Sequence, residues 1–75
     1  MITEAQQKIL SRLGHLAEFA PCNTTLLDYQ LQKRGFVKIN KMTFQGKEYF
    51  DTTLTQAGIN KLDHLVEERN YLSQP

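Results

Sequence analysis

The amino-acid sequence predicts a single α+β domain, mainly α, in which three helices precede a two-stranded β-hairpin and a long C-terminal helix. Apolar residues recur at helical spacing up to residue 34 and again from residue 55 onward. Between them, residues 36–54 hold two runs rich in aromatic and β-branched residues, joined by a stretch that contains glycine. A chain of 75 residues is about the size of one domain, so residues 1–75 are expected to form a single unit.

The composition restricts the class of protein. A chain this short buries only about 60% of the surface that its unfolded form exposes, so it depends on well-formed local structure or on a partner chain. The single cysteine, Cys22, rules out an internal disulfide and is typical of a reducing cytoplasm. No apolar run exceeds two residues, which argues against a transmembrane helix and a signal peptide. These features predict a cytoplasmic globular protein.

The N-terminal region is predicted to form two short helices. Thr3 can cap the first helix, and Gln6, three residues later, can complete a capping box. The apolar stripe consists of Ala5, Ile9, Leu10, Leu13, Leu16, Ala17 and Ala20. Gly14 interrupts this stripe, and a glycine inside a helix costs about 1 kcal/mol relative to alanine. The sequence therefore favours helices over about 3–13 and 15–20, with one continuous helix as the alternative.

A third helix is predicted over about residues 24–34. Residues 23–25, Asn-Thr-Thr, offer N-cap side chains at its start. Leu27 and Leu31 lie four residues apart and therefore share one face. Gly35 follows two basic residues, as expected where cations meet the negative end of a helix and glycine supplies the C-cap.

Two strands are predicted next. Residues 36–42 alternate well enough for a strand, and residues 48–54 are rich in aromatic and β-branched side chains. Residues 43–47 join the two runs, and Gly46 can supply the positive φ that a tight turn needs. Because an isolated two-stranded hairpin is at best marginally stable in water, this one is expected to pack on the helices.

The last helix is predicted over about residues 55–72, with Thr55 as its N-cap. Its apolar stripe consists of Ile59, Leu62, Leu65, Val66 and Leu72. The helix is longer than so small a core needs, so its far half is predicted to pair with a second copy of the chain. The candidate dimerisation residues are Leu62, Leu65, Val66 and Leu72.

The charge is distributed unevenly along the chain. Although the net charge is only +1, residues 33–47 carry +5, whereas residues 1–32 carry −1 and residues 48–75 carry −3. A local basic block on a near-neutral chain suggests a focused anion-binding surface. The alternative is a solvated lysine-rich hairpin, since lysines also protect exposed strand edges from pairing.

Two short stretches carry a resemblance to a known superfamily. Residues 31–37, Leu-Gln-Lys-Arg-Gly-Phe-Val, follow the pattern leucine, polar, basic, basic, glycine, apolar, apolar. Residues 49–58, Tyr-Phe-Asp-Thr-Thr-Leu-Thr-Gln-Ala-Gly, run from a strand into leucine, threonine, two further residues and glycine. At this order and separation they resemble the two ends of the wing in the winged helix-turn-helix superfamily, and most closely the MarR- and PadR-type transcription regulators. The resemblance extends over roughly residues 3–66.

The resemblance implies that the helix over residues 24–34 enters the major groove of double-stranded DNA while the wing lies on the backbone. The candidate base or phosphate contacts on this helix are Thr25, Tyr29 and Gln32. The candidate contacts beyond them are Arg34, Lys38, Asn40, Lys41 and Lys47. Asp28 is also expected to face outward, where its charge argues against a phosphate-facing surface. All these side chains equally suit an ordinary polar surface, so that interpretation stays open.

No catalytic, cofactor or metal site is recognisable in the sequence. It contains no glycine-rich phosphate loop and no nucleophile–base pair, and His15 and His64 stand alone without ligands at suitable spacing. The chain is therefore predicted to bind a partner without a cofactor, and not to be an enzyme. Its predicted function is that of a small transcription regulator, such as a repressor, that binds DNA as a homodimer.

Two alternatives remain open at this stage. Phe44, near the predicted tip of the hairpin, either folds back on the hairpin or is an exposed anchor for a protein partner. In the second case the chain is a winged-helix interaction module, such as an antirepressor or an inhibitor of a larger complex, which docks through Phe44 or the last helix. The other alternative is a small helical scaffold that only dimerises.

Overall fold

The fold of this chain is an antiparallel sheet packed against helices. The computed structural model describes residues 2–73, and their side chains up to residue 70. The elements follow in the order α1 (Glu4–Phe19), β1 (Cys22–Asn23), α2 (Leu26–Lys33), β2 (Val37–Phe44), β3 (Lys47–Leu54) and α3 (Gln56–Ser73). The α+β class, the hairpin and the long C-terminal helix are confirmed. Within the described residues there are three helices in place of the predicted four and three strands in place of two.

The N-terminal region forms one helix, α1, so the predicted break at Gly14 is wrong. Leu13 and Leu16, on either side of Gly14, are 0% and 1% exposed. Burying a leucine side chain is worth about 1.5–3 kcal/mol, which exceeds the cost of about 1 kcal/mol for one helical glycine. Residues 15–20 therefore belong mainly to the end of α1 and do not form a separate second helix.

The helix ends follow the predicted signals. At the start of α1, the Thr3 N–H donates to Gln6 Oε1 at 2.8 Å and the Gln6 N–H donates to Thr3 Oγ1 at 3.1 Å, which is the expected capping box. After α2, Gly35 has a φ of 82°. Its N–H and that of the next residue donate to the carbonyls of Gln32 and Leu31 at 2.9 and 3.0 Å, which is the Schellman arrangement. The predicted glycine C-cap is thus confirmed.

A short strand that the sequence does not predict joins the sheet. In β1, Cys22 pairs with Thr52 and Asn23 pairs with Asp51 of β3, antiparallel. Because β2 lies on the other side of β3, the strand order is β1-β3-β2. Two residues are too few to show an alternating pattern, so the sequence contains no signal for this strand. It fastens the connection between α1 and α2 to the sheet.

The strands of the hairpin are longer than predicted. β2 and β3 pair over their full length, and Phe44 lies opposite Lys47 at the far end. Gln45 and Gly46 form the turn with φ values of 50° and 77°. Two positive φ values are the pattern of a type I′ turn, whose twist matches that of the strands. The predicted loop, 43–47, is therefore mostly strand.

The core lies between the helices and one face of the sheet. Its buried apolar side chains are Leu10, Leu13, Leu16, Leu31, Val37 and Leu65. Residues 41–50, by contrast, are all exposed, so the far half of the hairpin projects past the core as a two-stranded ribbon. Across the residues described, no helix is both long enough and apolar enough to cross a membrane.

Candidate nucleic-acid interface

The position of α2 is fixed by a buried ion pair with α1. Arg12 Nε donates to Asp28 Oδ1 at 2.8 Å, and Arg12 Nη2 donates to Asp28 Oδ2 at 2.7 Å, so the pair is bidentate. The same Nη2 also donates to the carbonyl oxygen of Asn23 in β1 at 2.9 Å. The side chain of Arg12 is 14% exposed and that of Asp28 is 0% exposed. One guanidinium therefore holds α1, β1 and α2 together from the inside.

Further hydrogen bonds complete the surroundings of Asp28. Its Oδ2 accepts from the hydroxyl of Thr52 in β3 at 2.8 Å and from the backbone N–H of Thr25 at 2.9 Å. Burial alone would raise the pKa of Asp28. The hydrogen bonds that it accepts, above all that from Arg12, outweigh burial and hold the pKa below its ordinary value of 3.8. The pKa of Arg12 is raised, mainly by its hydrogen bond to Asp28. Both groups are thus charged, and each neutralises the other.

The predicted outward position of Asp28 is wrong, because this side chain is fully buried. Two signals in the sequence mark its true place. Asp28 stands three residues after Thr25, which is the position from which the acid of a capping box accepts from the N-cap backbone N–H. It also stands three residues before the buried Leu31, so it lies on the same side of the helix as that residue. Its burial removes the negative charge that argued against a phosphate-facing surface on α2.

The exposed side of α2 carries the predicted contact residues. Thr25, Tyr29 and Gln32 are all exposed. Leu26, which the sequence analysis does not single out, is 87% exposed at the first position of the helix. Gln32 Oε1 accepts from the backbone N–H of Ile39 at 3.2 Å, which attaches α2 to β2 at the edge of the sheet. The helix surface and the hairpin are therefore held next to each other.

The outer face of the hairpin is the face turned away from the buried Val37 and Thr52. It comprises Lys38, Asn40, Met42, Phe44, Lys47, Tyr49, Asp51 and Thr53. Lys38 and Lys47 are exposed on this face. Lys41 lies on the opposite face, where its Nζ is 2.9 Å from Glu48 Oε1. Lys38 and Lys47 therefore share the outer face but lie about 20 Å apart along the hairpin, at a rise of about 3.3 Å per residue, whereas Lys41 is paired with an acid.

The outer face also exposes apolar side chains. Met42 and Tyr49 lie opposite each other and are 48% and 46% exposed. Phe44 is 64% exposed, so it does not fold back on the hairpin. The exposed position is the one that the sequence analysis assigned to an anchor for a partner.

Arg34 lies apart from the hairpin lysines. It is the exposed C-cap residue of α2. Together with Lys8 and Ile9 of α1 it lines a cavity of about 170 Å³ between α1 and α2. It therefore belongs to the α1 side of α2 rather than to the outer face of the hairpin.

The candidate dimerisation residues differ in exposure. Leu65 is fully buried in the chain's own core, and Leu62 is half-buried and packs against that core. Val66 is half-buried, and the side chain of Leu72 lies outside the described residues. Dimerisation through α3 stays a prediction. Leu65 is buried within its own chain and does not face a second copy.

No family model, curated protein or solved structure matches this chain. Among the described residues, no group of three or more His, Cys, Asp or Glu side chains could hold a metal ion. The side chain of His15 instead packs on Phe19, with ring centroids 4.9 Å apart.

Proposed function

We propose that the chain is a small winged-helix transcription regulator that binds double-stranded DNA and acts by binding rather than by catalysis. In this proposal α2 enters the major groove and the hairpin is the wing, which lies along the phosphate backbone. The observation that carries it is the junction between α2 and β2, where Gln32 bonds the backbone of Ile39 at 3.2 Å. This junction joins an exposed polar helix to a hairpin whose outer face carries Lys38 and Lys47.

The chemistry of α2 suits a major-groove surface. An α-helix is about 10–12 Å across with its side chains, and the major groove, about 12 Å wide, admits it. Thr25 and Tyr29 carry hydroxyls for phosphates or base edges, and Gln32, whose Oε1 bonds the backbone of Ile39, has its Nε2 as a further donor. The exposed methyl groups of Leu26 suit the methyl group of thymine. The resemblance to MarR- and PadR-type regulators supports the same assignment.

The electrostatics of the surface also suit DNA. Between residues 33 and 47 the chain carries five cations and no acid. The one acid on α2 is buried against Arg12. Contacts of Lys38 and Lys47 with phosphates would release counterions, which supplies affinity without reading sequence. In this proposal two copies associate through α3 and read half-sites about one helical turn apart.

One feature favours a second candidate function. Met42, Phe44 and Tyr49 form an exposed apolar patch on the outer face of the hairpin. Patches of this kind mark surfaces that bind proteins. The second candidate is therefore an interaction module, such as an antirepressor or an inhibitor, that docks through the hairpin on a larger complex and does not bind DNA.

A salt titration with lysine variants tests the proposed function. Wild-type protein is expected to bind a random-sequence 30-base-pair duplex at low salt and to lose affinity steeply as salt rises. Lys38→Gln and Lys47→Gln should each weaken binding to all sequences and reduce the slope of log K against log salt by about 1. The matched control is Lys61→Gln, which removes the same charge from α3, an element that the proposal keeps off the DNA.

Two outcomes count against this assignment. If the wild type fails to bind the duplex at low salt, the regulator function is wrong and the protein-binding alternative takes its place. If Lys61→Gln lowers the slope as much as the two hairpin variants do, the DNA does not lie on the hairpin. Fluorescence anisotropy of the labelled duplex measures both quantities directly.

A further inference from the structure

The tip of the hairpin has an unusual side-chain composition. β2 ends at Phe44 and β3 begins at Lys47, and these two residues lie opposite each other. Only Gln45 and Gly46 separate them, so the tip is narrow and its geometry is set by a tight turn. Among the described side chains, Phe44 is the most exposed aromatic, at 64%. The narrowest point of the molecule therefore presents a large apolar ring beside a cation.

The part of the hairpin next to the tip buries no side chains, so packing within the chain does not account for the aromatic ring of Phe44. Residues 41–50 are all exposed, and the next pair on the same face is Met42 opposite Tyr49. Other large apolar side chains are also exposed, such as Phe19 and Leu26, but Met42, Phe44 and Tyr49 share one face. Three such side chains on one face of a free ribbon indicate a surface that becomes covered when the protein acts.

The charges around the tip indicate what covers it. Between residues 36 and 51 the chain has Lys38, Lys41 and Lys47 and two acids: Glu48, which is paired with Lys41, and Asp51, which lies opposite Asn40 on the outer face. Lys38 and Lys47 lie on the same face as Phe44. An apolar ring with the cation of Lys47 beside it complements a polyanion with stacked apolar planes, which is the chemistry of double-stranded DNA.

We infer that the tip of the hairpin enters the minor groove and that Phe44 wedges between two base pairs, which bends the duplex. This inference rests on the proposed function. The distance along β2 from Val37 to Phe44 is roughly 23 Å at a rise of about 3.3 Å per residue. That reach lets a wing that starts beside α2, in the major groove, cross the neighbouring phosphate backbone. Lys47, beside Phe44, then contacts a phosphate at the edge of the minor groove, and Lys38, about 20 Å back along β2, contacts the backbone closer to α2.

The wedge has two consequences for the DNA. An apolar side chain inserted from the minor groove partly unstacks a base step and kinks the duplex towards the major groove, by about 20–90° in proteins that act this way. Pyrimidine–purine steps such as TA and CA unstack most easily, so they should be preferred under the tip although no hydrogen bond reads them. Phe44 would thereby contribute to specificity through deformation of the DNA.

The test separates bending from binding. The probe is a 30-base-pair duplex with a donor and an acceptor dye at its ends, prepared with TA steps or without any pyrimidine–purine step. Energy transfer reports the bend, and anisotropy of the same duplex reports the fraction bound. The variants are Phe44→Ala, Phe44→Leu, which keeps an apolar wedge, and Phe19→Ala, which removes an aromatic ring that is 58% exposed at the end of α1.

Saturating wild-type protein is expected to increase energy transfer, and more so on the duplex with TA steps. Phe44→Ala should still bind but should no longer bend the duplex, whereas Phe44→Leu and Phe19→Ala should bend it. If Phe44→Ala bends the duplex as the wild type does, or if the wild type binds without any change in energy transfer, the wedge is wrong and the regulator function stands. If the wild type does not bind either duplex at low salt, both the wedge and the regulator function are overturned.

Discussion

Asp28→Ala is expected to lower the free energy of unfolding by about 3–5 kcal/mol, because it leaves the guanidinium of Arg12 without its buried partner. The carboxylate that it removes is 0% exposed and accepts from Arg12, Thr25 and Thr52. A chain of 75 residues has a total stability of only about 4–11 kcal/mol. The variant should therefore be largely unfolded well below the melting temperature of the wild type. Urea denaturation followed by far-ultraviolet circular dichroism measures the difference.

Two further variants show whether the ion pair is the cause. Asp63→Ala removes an exposed acid from α3 and should change the stability by no more than about 0.5 kcal/mol. Arg12→Met combined with Asp28→Leu replaces the pair by apolar side chains and should be more stable than Asp28→Ala, because no charge is left buried alone. The single variants Arg12→Met and Asp28→Leu complete the comparison. If the double variant loses as much free energy of unfolding as these two lose separately, added together, the two residues do not act as a pair.

The same pair predicts how stability depends on pH. The pKa of Asp28 is lowered in the folded protein, so its contribution is complete above the unfolded value of 3.8 and is lost as the pH falls towards the folded value. Wild-type protein should therefore lose stability as the pH falls below about 4, towards the lowered pKa of Asp28. Arg12→Met removes the largest cause of the lowered pKa, so its stability should fall less over this range. Urea titrations at several pH values measure how steeply the free energy of unfolding falls with pH in the wild type and in Arg12→Met. Equal slopes would contradict the assignment.

The elements that the sequence predicts correctly are those that repeat a pattern. The stripe that includes Leu10, Leu13 and Leu16 marks α1, and the aromatic and β-branched runs mark the hairpin. The capping box of Thr3 and the C-cap at Gly35 are local signals that need no knowledge of the fold. The break at Gly14 fails because the local cost of glycine is smaller than the gain from burying the leucines around it.

The candidate interface depends on features that no periodic pattern contains. The exposure of Thr25 and Tyr29 follows from the position of the inward leucines, and the structure agrees. The link from Gln32 to the backbone of Ile39 and the pairing of Lys41 with Glu48 depend on strand register and on how α2 meets the sheet. These are tertiary relations, which a single sequence does not contain.

Gly58→Ala is expected to destabilise the protein by about 3 kcal/mol, because α3 lies against the backbone of the residue before β2. A Cβ atom at this position would stand 1.9 Å from the carbonyl oxygen of Phe36 and 3.1 Å from Leu54 Cδ2. The Phe36 carbonyl also accepts from the Thr55 N–H at 3.2 Å, and the hydroxyl of Thr55 donates to the Gly35 carbonyl. The backbone at the base of the hairpin therefore cannot move away without breaking these bonds.

Gly14→Ala is the matched control for this effect. It too replaces a glycine within a helix, but a Cβ atom at Gly14 meets nothing within 4 Å. Because alanine favours the helix over glycine, this variant should gain about 0.5–1 kcal/mol. Helix propensity alone would make both variants more stable than the wild type. If urea denaturation shows that Gly14→Ala is stabilised and Gly58→Ala is destabilised, the difference arises from the close approach of α3 to the base of the hairpin. If the Gly58→Ala protein were as stable as the Gly14→Ala protein, α3 would not pack against the backbone of Phe36. The hairpin would then not contact α3, the helix proposed to carry dimerisation.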